Sequence, residues 1–329
     1  MLKFFRLNWK RMFIALLFIV LCIMSLMVGS LSGVTFQTLA DGDNTAWDVL
    51  FNSRIPRTAA IILSAAGLSV AGLIMQAVSR NKFMSPSTSG TTDAAAFGLL
   101  LSFILLSRQP GIIQTLFAFV FALVSTLLFH SIISRIKLRE VVYVPLLGMM
   151  YGGLISAVTI AVAYHFEAMQ MMASIALGSF ARLGNFTMVY IVVIPLVFAV
   201  LYATKFSIIG MGEDFAKNLG LHYKRVVFVG LVIVALISAA TFVAVGPLPF
   251  IGLIIPNMAT SFYGDNLKKS IFDLMIFGAD FVLLCDILGR LIIYPFEINV
   301  SLTISLVGGI IFMIYLIGGM HSGKTRKTT

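Results

Sequence analysis

The chain has 329 residues, 60% of them apolar and only 11% charged, with a formal net charge of +10 and a mean hydropathy of +1.04. A water-soluble domain carries about 25% charged residues, so this composition excludes a surface wholly facing water and points to lipid as the solvent. The basic excess does not indicate nucleic acid, because the charges sit in short patches between long apolar runs, as the loop charges of membrane proteins do.

In chain order, ten apolar segments read as helices, at residues 12–31, 57–78, 92–107, 111–133, 141–163, 187–203, 225–245, 250–263, 271–293 and 298–317. The expected fold class is all-α: a polytopic membrane protein with about ten transmembrane helices in a single transmembrane domain, 1–329. Residues 1–11 would form a cytoplasmic N-terminus and 319–329 a basic cytoplasmic tail. The first run could pass for a signal peptide, but Leu-Ser-Gly-Val-Thr-Phe is a poor cleavage site and nine more apolar runs follow. All but Arg54, Arg57, Arg108, Arg182 and Arg290 of the 23 basic residues fall on the side of the N-terminus. The positive-inside rule therefore places both termini in the cytoplasm, as an even number of spans requires.

Two of the ten segments are short. Residues 92–107 follow Ser-Pro-Ser-Thr-Ser-Gly, and 250–263 follow Gly-Pro-Leu-Pro and contain Pro256. Broken backbone at membrane depth survives only where protein or a water-filled path satisfies its polar groups. Such breaks fit either a translocation path or a packing kink. Gly148, Gly152 and Ser156 recur every four residues, a small-residue stripe that suits helix packing or a subunit contact equally.

Few residues carry chemistry. Cys22 and Cys285 both lie in apolar runs, which argues against a disulfide framework, and the four histidines lack ligand spacing. The run Met169-Gln170-Met171-Met172 reads as a flexible apolar surface rather than a soft-metal site. No metal or other cofactor is expected, and no nucleophile–base pair suggests an enzyme. Residues 318–325 match the phosphate-binding pattern G-x-x-x-x-G-K-T, but the required strand before and helix after are missing. A basic tail near anionic headgroups is the preferred reading. Asp286 and Arg290 stand one helical turn apart and can pair. Asp280 has no such partner, which leaves open a proton-coupled secondary transporter or channel. Gly212, Glu213, Asp214, Phe215, Ala216, Lys217, Asn218, Leu219 and Gly220 describe a short capped helix with Phe215, Ala216 and Leu219 on one face. That helix would lie on lipid or dock a cytoplasmic partner.

Several motifs in order resemble one family. Arg54-Ile55-Pro56-Arg57, then Gly67, Gly72, Gln76, Arg80-Asn81, Pro86 and Gly90, are similar to the first signature of iron-siderophore and cobalamin permeases, the membrane subunits of type II ATP-binding-cassette importers. The segment from Gly246-Pro247 to Pro256-Asn257 resembles their most recognisable stretch, and Asp286, Arg290 and Glu297 match the remainder. Asn257 in place of a frequent His is most similar to the catecholate or petrobactin-type branch.

The resemblance implies a permease of the bacterial cytoplasmic membrane that moves ferric siderophore and hydrolyses no ATP itself. Cytoplasmic ATPase subunits would grip the loop through Gly212, Glu213, Ala216, Leu219 and Gly220. An extracytoplasmic substrate-binding protein would deliver the cargo, and a second permease subunit, identical or not, would complete the path. Gln76, Asn81, Pro86, Pro256 and Asn257, with the Gly148, Gly152 and Ser156 stripe, are candidates for the translocation path or for helix packing. Basic residues are rare on the outer side, so Arg54, Arg57 and Arg290 are candidates for docking acidic groups of the binding protein. The alternatives are an Arg290–Asp286 pair and snorkelling of Arg54 and Arg57 to headgroups.

Overall fold

The computed structural model describes residues 2–29, 38, 41–106, 111–136, 142–181, 186–263 and 267–325, and is all-helical among them. In order, the helices are α1 (Leu2–Met27), α2 (Asn44–Val49), α3 (Ile55–Ser79), α4 (Thr91–Leu106), α5 (Gly111–Arg135), α6 (Tyr143–His165) and α7 (Met169–Ala176). They continue with α8 (Val193–Gly210), α9 (Glu213–Asn218), α10 (Tyr223–Val245), α11 (Ile251–Tyr263), α12 (Leu267–Leu291) and α13 (Val300–Thr325). A π turn, Leu50–Arg54, joins α2 to α3 without a break. Each of the ten apolar segments has its helix. By length and composition alone, five stretches among the described residues suffice to cross a membrane: the rod Asn44–Ser79, α5, α6, Met188–Gly210 and α10.

The ends of the chain differ from expectation. Helix α1 starts at Leu2 rather than near residue 12. Helix α13 does not stop at 317 but stays helical to Thr325. The G-x-x-x-x-G-K-T pattern therefore lies inside a helix, where its amides bond up the helix axis instead of opening as a phosphate cradle. Arg108 and Arg182 fall outside the described residues.

Helix α3 is the centre of the bundle, and α8, α10, α11 and α12 pack around it. Its sequence explains the position: small residues stand at Ser64, Ala65, Ala66, Gly67, Ser69, Ala71 and Gly72, so neighbours approach closely. A Cβ on Gly67 would lie 2.7 Å from Val192 Cγ1, and one on Gly72 would overlap the Gly252 carbonyl of α11. By contrast α5 and α6 turn large apolar residues outward, among them Leu116, Leu128, Met149, Met150 and Leu154. The 25 residues of α3 span about 37 Å at 1.5 Å per residue. Arg57 therefore marks one end of the bundle and Arg80, the C-cap of α3, the other. In the expected orientation these are the outer and cytoplasmic ends.

Candidate functional site

At the Arg57 end, four charged side chains from α3, α12 and the segment after it turn toward one another. Arg57 donates to Asp286 at 2.8 Å and to Glu297 at 2.7 Å. Asp286 also meets Arg290 at 2.6 Å, the expected one-turn pair. Arg290 donates onward to the Ser25 carbonyl at 3.0 Å, to the Ser25 hydroxyl and to the Val28 carbonyl. Arg54 donates to the carbonyls of Leu26 and Met27 at 2.7 and 2.6 Å. The last carbonyls of a helix lack intrahelical partners and carry partial negative charge. Two arginines thus cap the C-terminus of α1. Arg54 and Arg290 are only 6% and 3% exposed, and the Arg57 side chain is nearly as covered. Docking a binding protein through these three residues would require guanidiniums already engaged within the chain to leave their partners. Snorkelling to headgroups fares no better, since the groups point inward.

Beside the Arg80 end lies the break from α3 to α4. Asn81, Met84, Ser85 and Ser89 are buried, and the segment is knitted to itself. Ser85 N–H donates to the Thr88 hydroxyl, Phe83 N–H donates to Asn81 Oδ1, and the Ser89 and Thr91 hydroxyls share a bond at 2.9 Å. The Asn257 side-chain amide of α11 donates to the Lys82 carbonyl and to the Leu253 carbonyl, both at 2.8 Å. Pro86 packs beside Gly252. Asn81, Pro86 and Asn257 therefore meet in one buried junction, and Gln76 accepts the Asn81 N–H on its backbone carbonyl. Pro256 sits within α11 itself.

The same junction decides between the two readings of the α6 stripe. A Cβ on Gly148 would overlap the Thr88 carbonyl, and one on Gly152 would lie 2.6 Å from Asp93 Oδ2. Ser156 donates to Asp93 Oδ1 at 2.7 Å. The stripe packs inside the subunit against the break and the first turn of α4. Asp93 escaped the sequence reading, although an acid in a helix's first turn opposite a small-residue stripe was a usable signal.

Also at the Arg80 end, α9 is short and capped by two left-handed glycines, Gly212 at φ 122° and Gly220 at φ 77°. The expected apolar face divides. Ala216 is fully buried against α8 and α10, so part of the face already rests on its own chain. Phe215 and Leu219 are 43% and 56% exposed, with Met211 beside them at 65%. Alanine is the pivot because its single methyl lets the helix lie flat on its own chain. Lys217 donates to Glu213 at 2.9 Å across one turn. That bond, with the positive charges of Lys217, Lys224 and Arg80, holds the Glu213 carboxyl below its usual range.

With this geometry in place, comparison with known proteins is informative. The model of the FecCD transport family matches residues 15–318. The chain belongs to that family. Among FecCD relatives, the petrobactin import system permease YclN of Bacillus subtilis is 41% identical over 310 residues, covering 94% of this chain and 98% of the relative. The ferric-anguibactin transport system permease FatD of Vibrio anguillarum is 35% identical, covering 92% and 97%. A metal-chelate-type ABC transporter solved in an inward-facing conformation shares the FecCD fold, with a TM-score of 0.79 at 22% identity over 94% of this chain.

Proposed function

We propose that this FecCD-family chain is the permease subunit of an ATP-binding-cassette importer that moves ferric siderophore across the cytoplasmic membrane. Separate cytoplasmic ATPase subunits drive it, a substrate-binding protein feeds it, and a second permease subunit pairs with it. The relatives named for petrobactin and anguibactin import support the cargo class. The observation that carries the reading is α9. Phe215 projects from this helix, with Met211 and Leu219 exposed at its two ends and Ala216 clamping it to the bundle, a rigid apolar knob of the kind a partner's socket takes up. A proton-coupled carrier built on Asp280 is the weaker reading: that carboxylate is buried, with no hydrogen-bond partner among the described residues, and the family is one of ATP-binding-cassette permeases by its relatives' names.

Co-expression with the partner ATPase tests this directly. Leu219→Glu should insert normally yet lose ATPase co-purification, because an apolar socket would strip the new carboxylate of water without supplying a partner. Full retention of the ATPase by Leu219→Glu and Phe215→Glu together would sink it.

A further inference from the structure

The segment from residue 80 to 90 touches three elements that the function would have to move. Its first residue, Arg80, caps α3 in the left-handed conformation at φ 49°, ψ 39°, which a residue with a Cβ rarely adopts. That conformation turns the side chain toward α9. The Arg80 guanidinium lies 3.5 Å from the point a Cβ on Gly212 would occupy, and its charge reaches the Glu213 carboxylate. Two residues on, the Lys82 carbonyl takes the Asn257 amide of α11. Further along, the Thr88 carbonyl abuts Gly148 and Gly90 abuts Gly152, both on α6. The last residue, Gly90, is again left-handed, at φ 73°. Between these two ends the hydroxyls of Ser85, Ser87, Thr88 and Ser89 bond to one another and to local backbone.

We propose that this segment is a lever, with Arg80 and Asn257 as its positioning residues, linking the ATPase-docking helix α9 to α11. The inference rests on the importer reading. The internal hydroxyl bonds make the middle stiff, and the left-handed residues at its ends are where a hinge concentrates its dihedral change. Arg80 sets the input, since it is the side chain of the lever beside the start of α9. Asn257 sets the output, since its amide ties the lever to α11, whose internal Pro256 removes a helix hydrogen bond.

The test uses the whole complex: permease, ATPase and binding protein in proteoliposomes, with radio-iron petrobactin as cargo, or radio-iron anguibactin if the wild type prefers it. The readout is iron delivered per ATP hydrolysed. Arg80→Gly keeps the left-handed backbone and removes the guanidinium; Asn257→Leu keeps volume and removes the amide. Both should assemble with the ATPase and hydrolyse ATP at the wild-type rate, while iron per ATP falls about tenfold, the range of a typical coupling between sites. Arg80→Lys should recover most of the loss. The double variant should be no worse than either single one, because links in series fail once. Wild-type iron per ATP in Arg80→Gly would overturn the lever. Loss of the ATPase from Arg80→Gly would also overturn it, making Arg80 a docking contact, and so would multiplicative loss in the double variant. If Asn257→Leu does not fold, Arg80→Gly decides, since its side chain is exposed and glycine suits the site. A wild-type complex without ATP-driven uptake, with any cargo, would instead sink the importer reading beneath it.

Discussion

At the Arg57 end of the bundle four charged side chains face one another and two arginines close the last turn of α1, so the polar groups there are consumed within the chain. At the α9 end the largest side chains face outward and only a methyl group, that of Ala216, faces in. The sequence marks both ends with the same kind of signal, charged or capped residues at a helix terminus. Their structural use is opposite: one end turns its polar groups onto the chain itself, and the other leaves apolar side chains exposed, which the importer reading assigns to a partner. Charge near a membrane surface thus says little about recognition until its partners are known, whereas an exposed apolar side chain clamped on a rigid helix says much.

The comparison can be broken most forcefully at Asp286. Removing this carboxylate in Asp286→Ala leaves Arg57 and Arg290 short of a counter-charge in a buried site, a loss of about 3–5 kcal/mol. Thermal unfolding of the detergent-solubilised chain should show it, with or without the binding protein; a stability matching the wild type would refute the structural reading. Arg57→Glu should fail in the same way, before any effect on docking is measurable. Next in size is Ala216→Asp, which places a carboxylate under α9 against its own chain at a cost of about 2–4 kcal/mol. It should lower the melting temperature of the isolated chain, whereas Leu219→Glu should not. Equal melting temperatures for these two variants would show that Ala216 is not the clamp.

The smallest effect sharpens the comparison by pH. The folded Glu213 pKa is depressed by its bond to Lys217, so whatever the pair contributes is present above the unfolded carboxylate pKa and lost as pH falls through the folded value. Both groups face solvent over much of their surface. Glu213→Gln should therefore leave stability at neutral pH unchanged within error, and a wild-type loss confined to acidic pH should vanish in the variant. A clear loss at neutral pH would mean the pair supports α9 more than its exposure implies.

Much of this architecture was legible because apolar runs of helical length leave little choice to the backbone. The ten helices, the Asp286–Arg290 pair and the capped α9 all follow from local spacing. What was not legible depends on residues distant in sequence. Arg57 finds Glu297 across 240 positions, and Arg290 finds Ser25 across 265; no periodicity joins such pairs. Ala216 looked like one third of an apolar face, because helical spacing alone does not say which residue of a face rests on its own chain. The α6 stripe was correctly seen as a close-approach surface, but only the position of Thr88 and Asp93 shows what approaches it.

The contact between Gly72 and Gly252 has a mechanical consequence. A side chain lodged between two helices acts as a bearing: it changes rotamer as they slide and absorbs part of the motion. Here backbone meets backbone, and a slide of α11 along α3 would drag a carbonyl over a bare Cα with nothing to yield. Side chains accommodate small shifts of packed helices; a joint without them is stiff. Helices α3 and α11 are therefore held in register where Gly72 meets Gly252.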